Sequence, residues 1–386
     1  MSDYQHLIQF VRDWYGSSGP ISLHEPRFSA RDSALVEDAI RSTFVSSVGA
    51  YVDRFEKELA AYVNARRAVV TVNGTAALQV ALRLAGVRPG DEVLTQALTF
   101  VATANAIVYN QATPVFVDVD RDTLGLCPRA LEAFLQEHAE CATGGCINRK
   151  TGKRIAAIVP MHTFGHPCHV DKLVQLGRDW GIPVVEDAAE ALGSTRGGRH
   201  CGTFGQMGVY SFNGNKIITS GGGGAIVSDD EKLGTRAKHI TTTAKIPHRW
   251  EFVHDEIGYN FRMPNLNAAL ACAQLEKLET FLADKRALAE AYAAFFQECD
   301  WGTFVKEPAG CRSNYWLNAV IVNEPILRDQ LLTATNNASV MTRPAWTLMC
   351  DLPIYAQCQC GDLTHSRWIV QRLVNLPSSA RGIINA

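Results

Sequence analysis

From about residue 65 to 230 the chain alternates short apolar runs rich in Val, Ile and Phe with longer stretches of helical period. The runs are Ala68–Val72, Glu92–Thr95, Pro114–Val119, Ile155–Val159, Ile182–Glu186, Met207–Ser211 and Gly224–Ser228. They are nearly continuous in apolarity instead of alternating, which is how strands buried on both faces read, and the helical stretches between them suit crossover connections. The expected architecture is α/β, with a mainly parallel seven-stranded sheet covered by helices.

The helical stretches carry their own punctuation. Thr75–Gly86 opens on a Thr cap and stops at Gly, and His169–Gly181 follows the same grammar. After Pro264, Leu266–Arg286 predicts one long helix that continues to Gln297 and leads into a smaller α+β domain. That domain offers a strand at Tyr315–Val322, a helix at Pro325–Thr335 and a last helix at Ser366–Leu373. The expected division is an N-terminal helix and arm over residues 1–30, a large domain over 31–263 and a small one over 264–386.

Composition narrows the class of function. With 37 Lys+Arg against 39 Asp+Glu the net charge is −2, so no polybasic surface for nucleic acid is implied. No apolar run reaches membrane-spanning length, and the N-terminus carries Asp, His and Arg where a signal peptide needs an apolar stretch. A cytoplasmic protein is the expectation. The 11 cysteines are odd in number and include no C-x-x-C pair, which reads as reduced thiols. Neither Cys141 and Cys146 nor Cys358 and Cys360 has a second ligand pair nearby, so no metal is expected.

In a parallel sheet ligands collect at the carboxyl ends of the strands, and four places there carry chemistry. Gly74 and Thr75 turn a strand directly into a helix, and N–H groups at a helix start suit a phosphate. Phe100 follows the second strand at the head of another helix. Glu186, Asp187 and Glu190 close the fifth run, and adjacent strand residues face opposite ways, so one of the first two must enter the crevice. Lys216 follows Ser211 just after the sixth run, among small and apolar neighbours that can desolvate its amine and make it a nucleophile. Each feature alone has a bland reading as a cap, a core aromatic, a paired acid or a solvated lysine. Together, a phosphate cradle, an aromatic plate, a crevice carboxylate and an amine are what pyridoxal phosphate requires.

With those residues in view, the chain resembles the DegT family of sugar-nucleotide aminotransferases, which have the aspartate aminotransferase-like fold (fold type I). The resemblance runs from Ile21–Pro26 to Leu376–Ser379 and rests on N-G-T-A-A-L at 73–78, P-G-D-E-V at 89–93, E-D-A-A-E at 186–190, S-F-N-G-N-K at 211–216 and G-Y-N-F-R-M at 258–263. It implies that Lys216 bonds the cofactor aldehyde, that Ser211, Gly74 and Thr75 hold its phosphate, and that Phe100 stacks on its ring. Asp187 would pair with the pyridine nitrogen, and Glu190, where many relatives carry Gln, would lie near the ring hydroxyl. Asn260 would reach the phosphate of a neighbouring subunit, making the working unit a homodimer. The family usually has Glu where this chain has Gly222, a departure in the loop after the lysine.

Lysine at 216 argues for transamination, because a related class of dehydratases has His there and cannot bond the aldehyde. The segments Ser42–Val48, Thr241–Lys245 and Arg343–Trp346 are similar to the LegC-like branch, linked to legionaminic acid. That likeness implies an amino acid donor, usually L-glutamate, and a UDP- or GDP-linked 4-keto-6-deoxy sugar with a 2-acetamido group, for surface polysaccharide. A 3-keto or perosamine-type 4-keto substrate and a non-catalytic regulatory role stand as alternatives. Arg27, Lys245, Arg249 and Arg343 are candidates for the diphosphate, since Arg and Lys suit phosphate oxygens, and His166 for the sugar. A nucleotide-binding oxidoreductase is a poor rival, because Gly221–Gly224 runs into a strand and not a helix.

Overall fold

The computed structural model describes residues 3–142 and 145–381. Seven strands build the central sheet: β1 (Arg67–Thr71), β2 (Glu92–Gln96), β3 (Thr113–Val117), β4 (Arg154–Val159), β5 (Val185–Asp187), β6 (Met207–Ser211) and β7 (Gly224–Ser228). β2 pairs in parallel with β3 and β4, and parallel bridges Ile158–Val184 and Met161–Asp187 join the end of β4 to β5. β5 is parallel to β6, while β7 runs antiparallel to both β6 and β1. The order across the sheet is therefore β3-β2-β4-β5-β6-β7-β1, with β7 alone reversed. The carboxyl ends of β1, β2, β5 and β6 share one edge.

Burial follows the apolar runs. Every residue of β2 and of β7 is buried, as strands covered by helices on both faces must be. The helix Gly74–Leu84 buries Ala77, Leu78, Ala81 and Leu82 against Val69, Val93 and Val209 of the sheet. Its cap is Asn73 and not Thr75: the Asn73 side chain accepts the Ala76 N–H at 2.8 Å. The difference leaves the Thr75 hydroxyl uncommitted to capping.

Three further expectations are corrected. The long helix after Pro264 is two, Asn265–Leu275 and Leu278–Phe295. The side chains at the break are claimed by neighbouring helices: Glu276 receives Arg31 at 3.0 Å and Arg54 at 2.7 Å, and Lys277 bonds Asp32. The strand read at Tyr315–Val322 begins only at Asn318: Tyr315 takes a positive φ of 46°, and the N–H groups of Tyr315 and Trp316 go to Ser313 Oγ and Asn314 Oδ1 instead of to a neighbouring strand. The last helix is Thr364–Val370, and Leu373 instead opens a strand, Leu373–Leu376. A hairpin of Ala139–Ala142 and Gly145–Asn148, too short and mixed in polarity to read from sequence, pairs with β4 and sets Cys141 opposite Cys146 as free thiols.

The C-terminal segment forms an antiparallel sheet of Gly302–Phe304, Asn318–Val322, Leu373–Leu376 and Arg343–Pro344, in that order. The N-terminal helix Asp3–Tyr15 inserts Leu7, Ile8 and Val11 beside Tyr292, Val320 and Val374 of this part of the molecule. Among the described residues, no helix is long and apolar enough to cross a membrane.

Candidate active site

Four loops leaving the shared sheet edge close around a cavity of about 320 Å³, lined by Asn73, Gly74, Thr75, Phe100, Asp187, Glu190, Ser211 and Lys216 among others. A larger hollow of about 760 Å³ lies between the strand Gly302–Phe304 and Trp368 and shares none of these residues. The smaller one holds the concentrated chemistry.

β1 ends at Thr71 and the helix begins at Gly74, so first-turn N–H groups of Gly74 and Thr75 have no acceptor within the helix. A Cβ at Gly74 would stand 2.9 Å from the Ser211 Cβ. Glycine thus keeps open the space between the helix start and the Ser211 hydroxyl, which β6 delivers at its last residue. N–H groups, a hydroxyl and the positive end of a helix dipole make an anion site.

The two adjacent carboxylates divide as strand geometry requires. Asp187 faces the cavity, where Oδ2 accepts from Thr103 Oγ1 at 2.7 Å and Oδ1 from the Ala189 N–H at 3.2 Å. Glu186 points the other way and is fully enclosed. It accepts the N–H groups of Gly202, Phe204 and Gly205 at 2.7, 2.6 and 2.7 Å and meets His162 Nε2 at 3.0 Å. Four partners account for the burial of that charge, and its role is to lock the end of β5.

Lys216 reaches into the cavity from the turn after β6. Its Nζ lies 3.2 Å from Glu190 Oε1 and 4.1 Å from the centroid of the Trp316 ring. Glu190, 2% exposed, also accepts the Phe164 N–H at 2.9 Å. Burial pushes its carboxyl up to about 7, against the pull of Lys216 and the Phe164 N–H. Phe100, at the head of the helix Val101–Tyr109, leaves 47% of its surface exposed at the cavity, with Trp346 6.1 Å away. The Gly222 carbonyl, in the loop after Lys216, is held by Ser220 Oγ at 2.8 Å and Asn267 Nδ2 at 3.2 Å.

The remaining sequence candidates lie outside this cavity. Asn260 is exposed and accepts from Arg262 Nε at 3.0 Å. Arg27 donates to the Ala380 carbonyl at 2.9 Å and pairs with Glu25. The Lys245 Nζ sits 3.6 Å from the Phe252 ring centroid, Arg249 lies over Trp250, and Arg343 donates to Asn336 Oδ1 at 3.0 Å. His166 is fully buried edge-on to Tyr315, with burial pressing its ring down to about 4. Two residues at the site escaped the sequence reading. Thr103 looked like any polar residue in a short apolar helix, and Trp316 comes from a segment one hundred positions beyond Lys216.

A sequence model of the DegT/DnrJ/EryC1/StrS aminotransferase family matches residues 26–381. EpsN of Bacillus subtilis (strain 168) is 36% identical over 87% of this chain and 84% of that protein. The GDP-perosamine synthase of Escherichia coli O157:H7 is 33% identical, with 87% of each chain covered. Among solved structures, the aminotransferase TlmJ from Streptoalloteichus hindustanus superposes with a TM-score of 0.84 at 28% identity, covering 93% of this chain and 94% of that one.

Proposed function

The chain belongs to the DegT/DnrJ/EryC1/StrS aminotransferase family, and from that premise we propose that it moves an amino group from an amino acid, L-glutamate, to the C4 carbon of a nucleotide-linked 4-keto-6-deoxy sugar. Transamination and dependence on pyridoxal phosphate come with the family. The observation that carries the reading is the convergence of Lys216, Asp187, Phe100 and the Gly74–Ser211 cradle on one cavity.

The cavity fits the cofactor. Its size falls within the range of small-molecule sites. The space that a Gly74 Cβ would fill adjoins unpaired N–H groups and the Ser211 hydroxyl, as a phosphate demands, and a buried anion and an exposed aromatic face lie beyond it. When bound, pyridoxal phosphate supplies an aldehyde carbon and a protonated ring able to accept the electrons of a breaking Cα–H bond.

The protein's part is positioning and proton transfer. Gly74, Thr75 and Ser211 would hold the phosphate end. Asp187, oriented by Thr103 and Ala189, would pair with the ring nitrogen, and Phe100 would support the ring face. Lys216 would hold the cofactor through its amine, and the same amine, free when a donor is bound, is placed to take up the donor's α proton as general base and to give a proton back as general acid. Glu190 stands beside that amine, 3.2 Å from Nζ. In net terms the amino acid would give up its amino group and become the oxo acid, and the keto sugar would become the amino sugar, so the nitrogen balances.

The finer reading is a UDP- or GDP-linked sugar bearing a 2-acetamido group, for legionaminic acid or a related glycan, and it is supported by likeness in the Ser42–Val48, Thr241–Lys245 and Arg343–Trp346 segments. A perosamine-type acceptor without the acetamido group is the second reading, favoured by the likeness to GDP-perosamine synthase. The unit is a homodimer in this account. The support for it is that Asn260, to which the family resemblance gives a phosphate contact, lies outside its own cavity, and that Phe44, Val48, Trp250, Phe252 and Ile257 are exposed apolar side chains. Arg27, Lys245, Arg249 and Arg343 remain proposed substrate contacts, while His166, fully buried against Tyr315 and outside the cavity, is corrected to a packing residue.

The test is the first half-reaction. Cofactor-loaded protein mixed with L-glutamate labelled with nitrogen-15 in its amino group, and no acceptor, should release one equivalent of 2-oxoglutarate per site and keep the labelled nitrogen on the cofactor. Absence of oxo acid release would refute the proposal.

A further inference from the structure

Lys216 enters the site on a long flexible side chain, and such a chain loses much rotamer freedom when it must hold one position. Two groups wall it in. Glu190 Oε1 is 3.2 Å from Nζ, and on another side the Trp316 ring centroid is 4.1 Å away.

Trp316 is itself fixed. It is 4% exposed, and its Nε1 donates to the Asn215 carbonyl at 2.6 Å, next to Lys216 in sequence. Its backbone N–H donates to Asn314 Oδ1 at 2.8 Å, and its carbonyl accepts from the buried Lys285 Nζ at 3.1 Å. Asn314 Nδ2 donates in turn to the carbonyls of Glu190 at 2.8 Å and Leu192 at 2.9 Å. The aromatic face and the carboxylate that bracket Nζ are thereby registered on each other through Asn314.

We propose that Trp316 is a positioning residue for the transamination, its indole face holding the Lys216 amine where it can reach the donor's α proton. An aromatic face attracts an ammonium and also packs against a neutral amine, so it guides the lysine through both protonation states that proton transfer requires. Trp316 gains and loses no proton; it sets where Nζ stands. The inference rests on Lys216 being the reacting amine, as proposed above.

The experiment compares cofactor-loaded wild type, Trp316→Leu and Trp316→Phe by single-turnover rate with L-glutamate, glutamate KM and visible circular dichroism of the bound cofactor. In Trp316→Leu the rate of the first half-reaction falls roughly 10- to 100-fold. The glutamate KM stays within about threefold, the pattern of an interaction spent on the reacting step and not on binding. The dichroism of the cofactor changes. Trp316→Phe keeps a six-membered π face while losing the pyrrole ring and its N–H to the Asn215 carbonyl, and it holds the rate within about threefold of wild type. Where Trp316→Leu gives no folded protein, Trp316→Met serves, its side chain being more adaptable in shape. A Trp316→Leu protein with wild-type rate and dichroism overturns the inference, and so does a Trp316→Phe protein as slow as the Leu variant. Borohydride reduction and peptide mapping of the wild type separates the two layers. An adduct on a lysine other than Lys216 removes the reading of the site, whereas an adduct on Lys216 with a full-speed Leu variant removes the role of Trp316 alone.

Discussion

Replacing Glu190 by Gln makes a quantitative prediction about stability and pH. The Glu190 carboxyl sits near 4.5 in an unfolded chain and is pushed up to about 7 in the fold, burial being the largest cause. Below the lower value both states hold the proton, and the group does not bias folding. Between the two, the folded state keeps a proton that the unfolded state has released, so stability falls as pH rises. Above about 7 the folded protein carries the whole cost of a buried carboxylate, which at about 1.4 kcal/mol per pH unit comes to about 3 kcal/mol. Gln fills the same volume and does not titrate. In cofactor-free protein, the stability of Glu190→Gln relative to wild type should therefore rise by about 3 kcal/mol between about pH 4 and about pH 8. Urea unfolding of both proteins across that range reads the gap, and because slopes are compared, an offset common to every pH does not enter. A gap that stays constant, or narrows as pH rises, would refute the assignment of a buried, raised carboxyl at this position.

Three further substitutions follow from the geometry. Lys216→Ala should form no borohydride-fixed cofactor adduct, visible by mass spectrometry, and should lose turnover by at least about 10³-fold, the scale of a general base and nucleophile removed together. Gly74→Ala places a Cβ 2.9 Å from that of Ser211, and overpacking on this scale should weaken cofactor binding at least about tenfold in a fluorescence titration. Thr103→Val leaves Asp187 Oδ2 without its 2.7 Å donor and should cost about 1.5–3 kcal/mol in urea unfolding, the range for a lost bond to a charged group.

Legibility tracked the range of the interactions. The strands were readable because burial on both faces leaves a continuous apolar run, and Gly74, Phe100, Asp187, Ser211 and Lys216 were readable because each lies at or just beyond a strand end, where this kind of sheet presents its ligands. Which of Glu186 and Asp187 enters the cavity required only the two-residue period of a strand once one was known to face inward. What failed was non-local. The break at Glu276 and Lys277 follows from Arg31, Asp32 and Arg54, which lie more than two hundred positions away. Trp316 meets Lys216 across one hundred positions of sequence, from a segment that precedes its strand and follows a positive φ at Tyr315. No local propensity encodes either event, since tertiary partners decide both. The cap at Asn73 in place of Thr75 is a smaller miss, and helix ends are where sequence patterns are least sharp.

The central claim is that this cavity serves amination at C4 of a keto sugar carried on a nucleotide. Its most direct test is incubation of the cofactor-loaded protein with L-glutamate and a panel of UDP- and GDP-linked 4-keto-6-deoxy sugars, with and without a 2-acetamido group, each product identified by mass and NMR. The account predicts an amino sugar bearing nitrogen at C4 from at least one member, with an equal amount of 2-oxoglutarate. Release of 2-oxoglutarate in the half-reaction together with no amination of any 4-keto sugar nucleotide would contradict it.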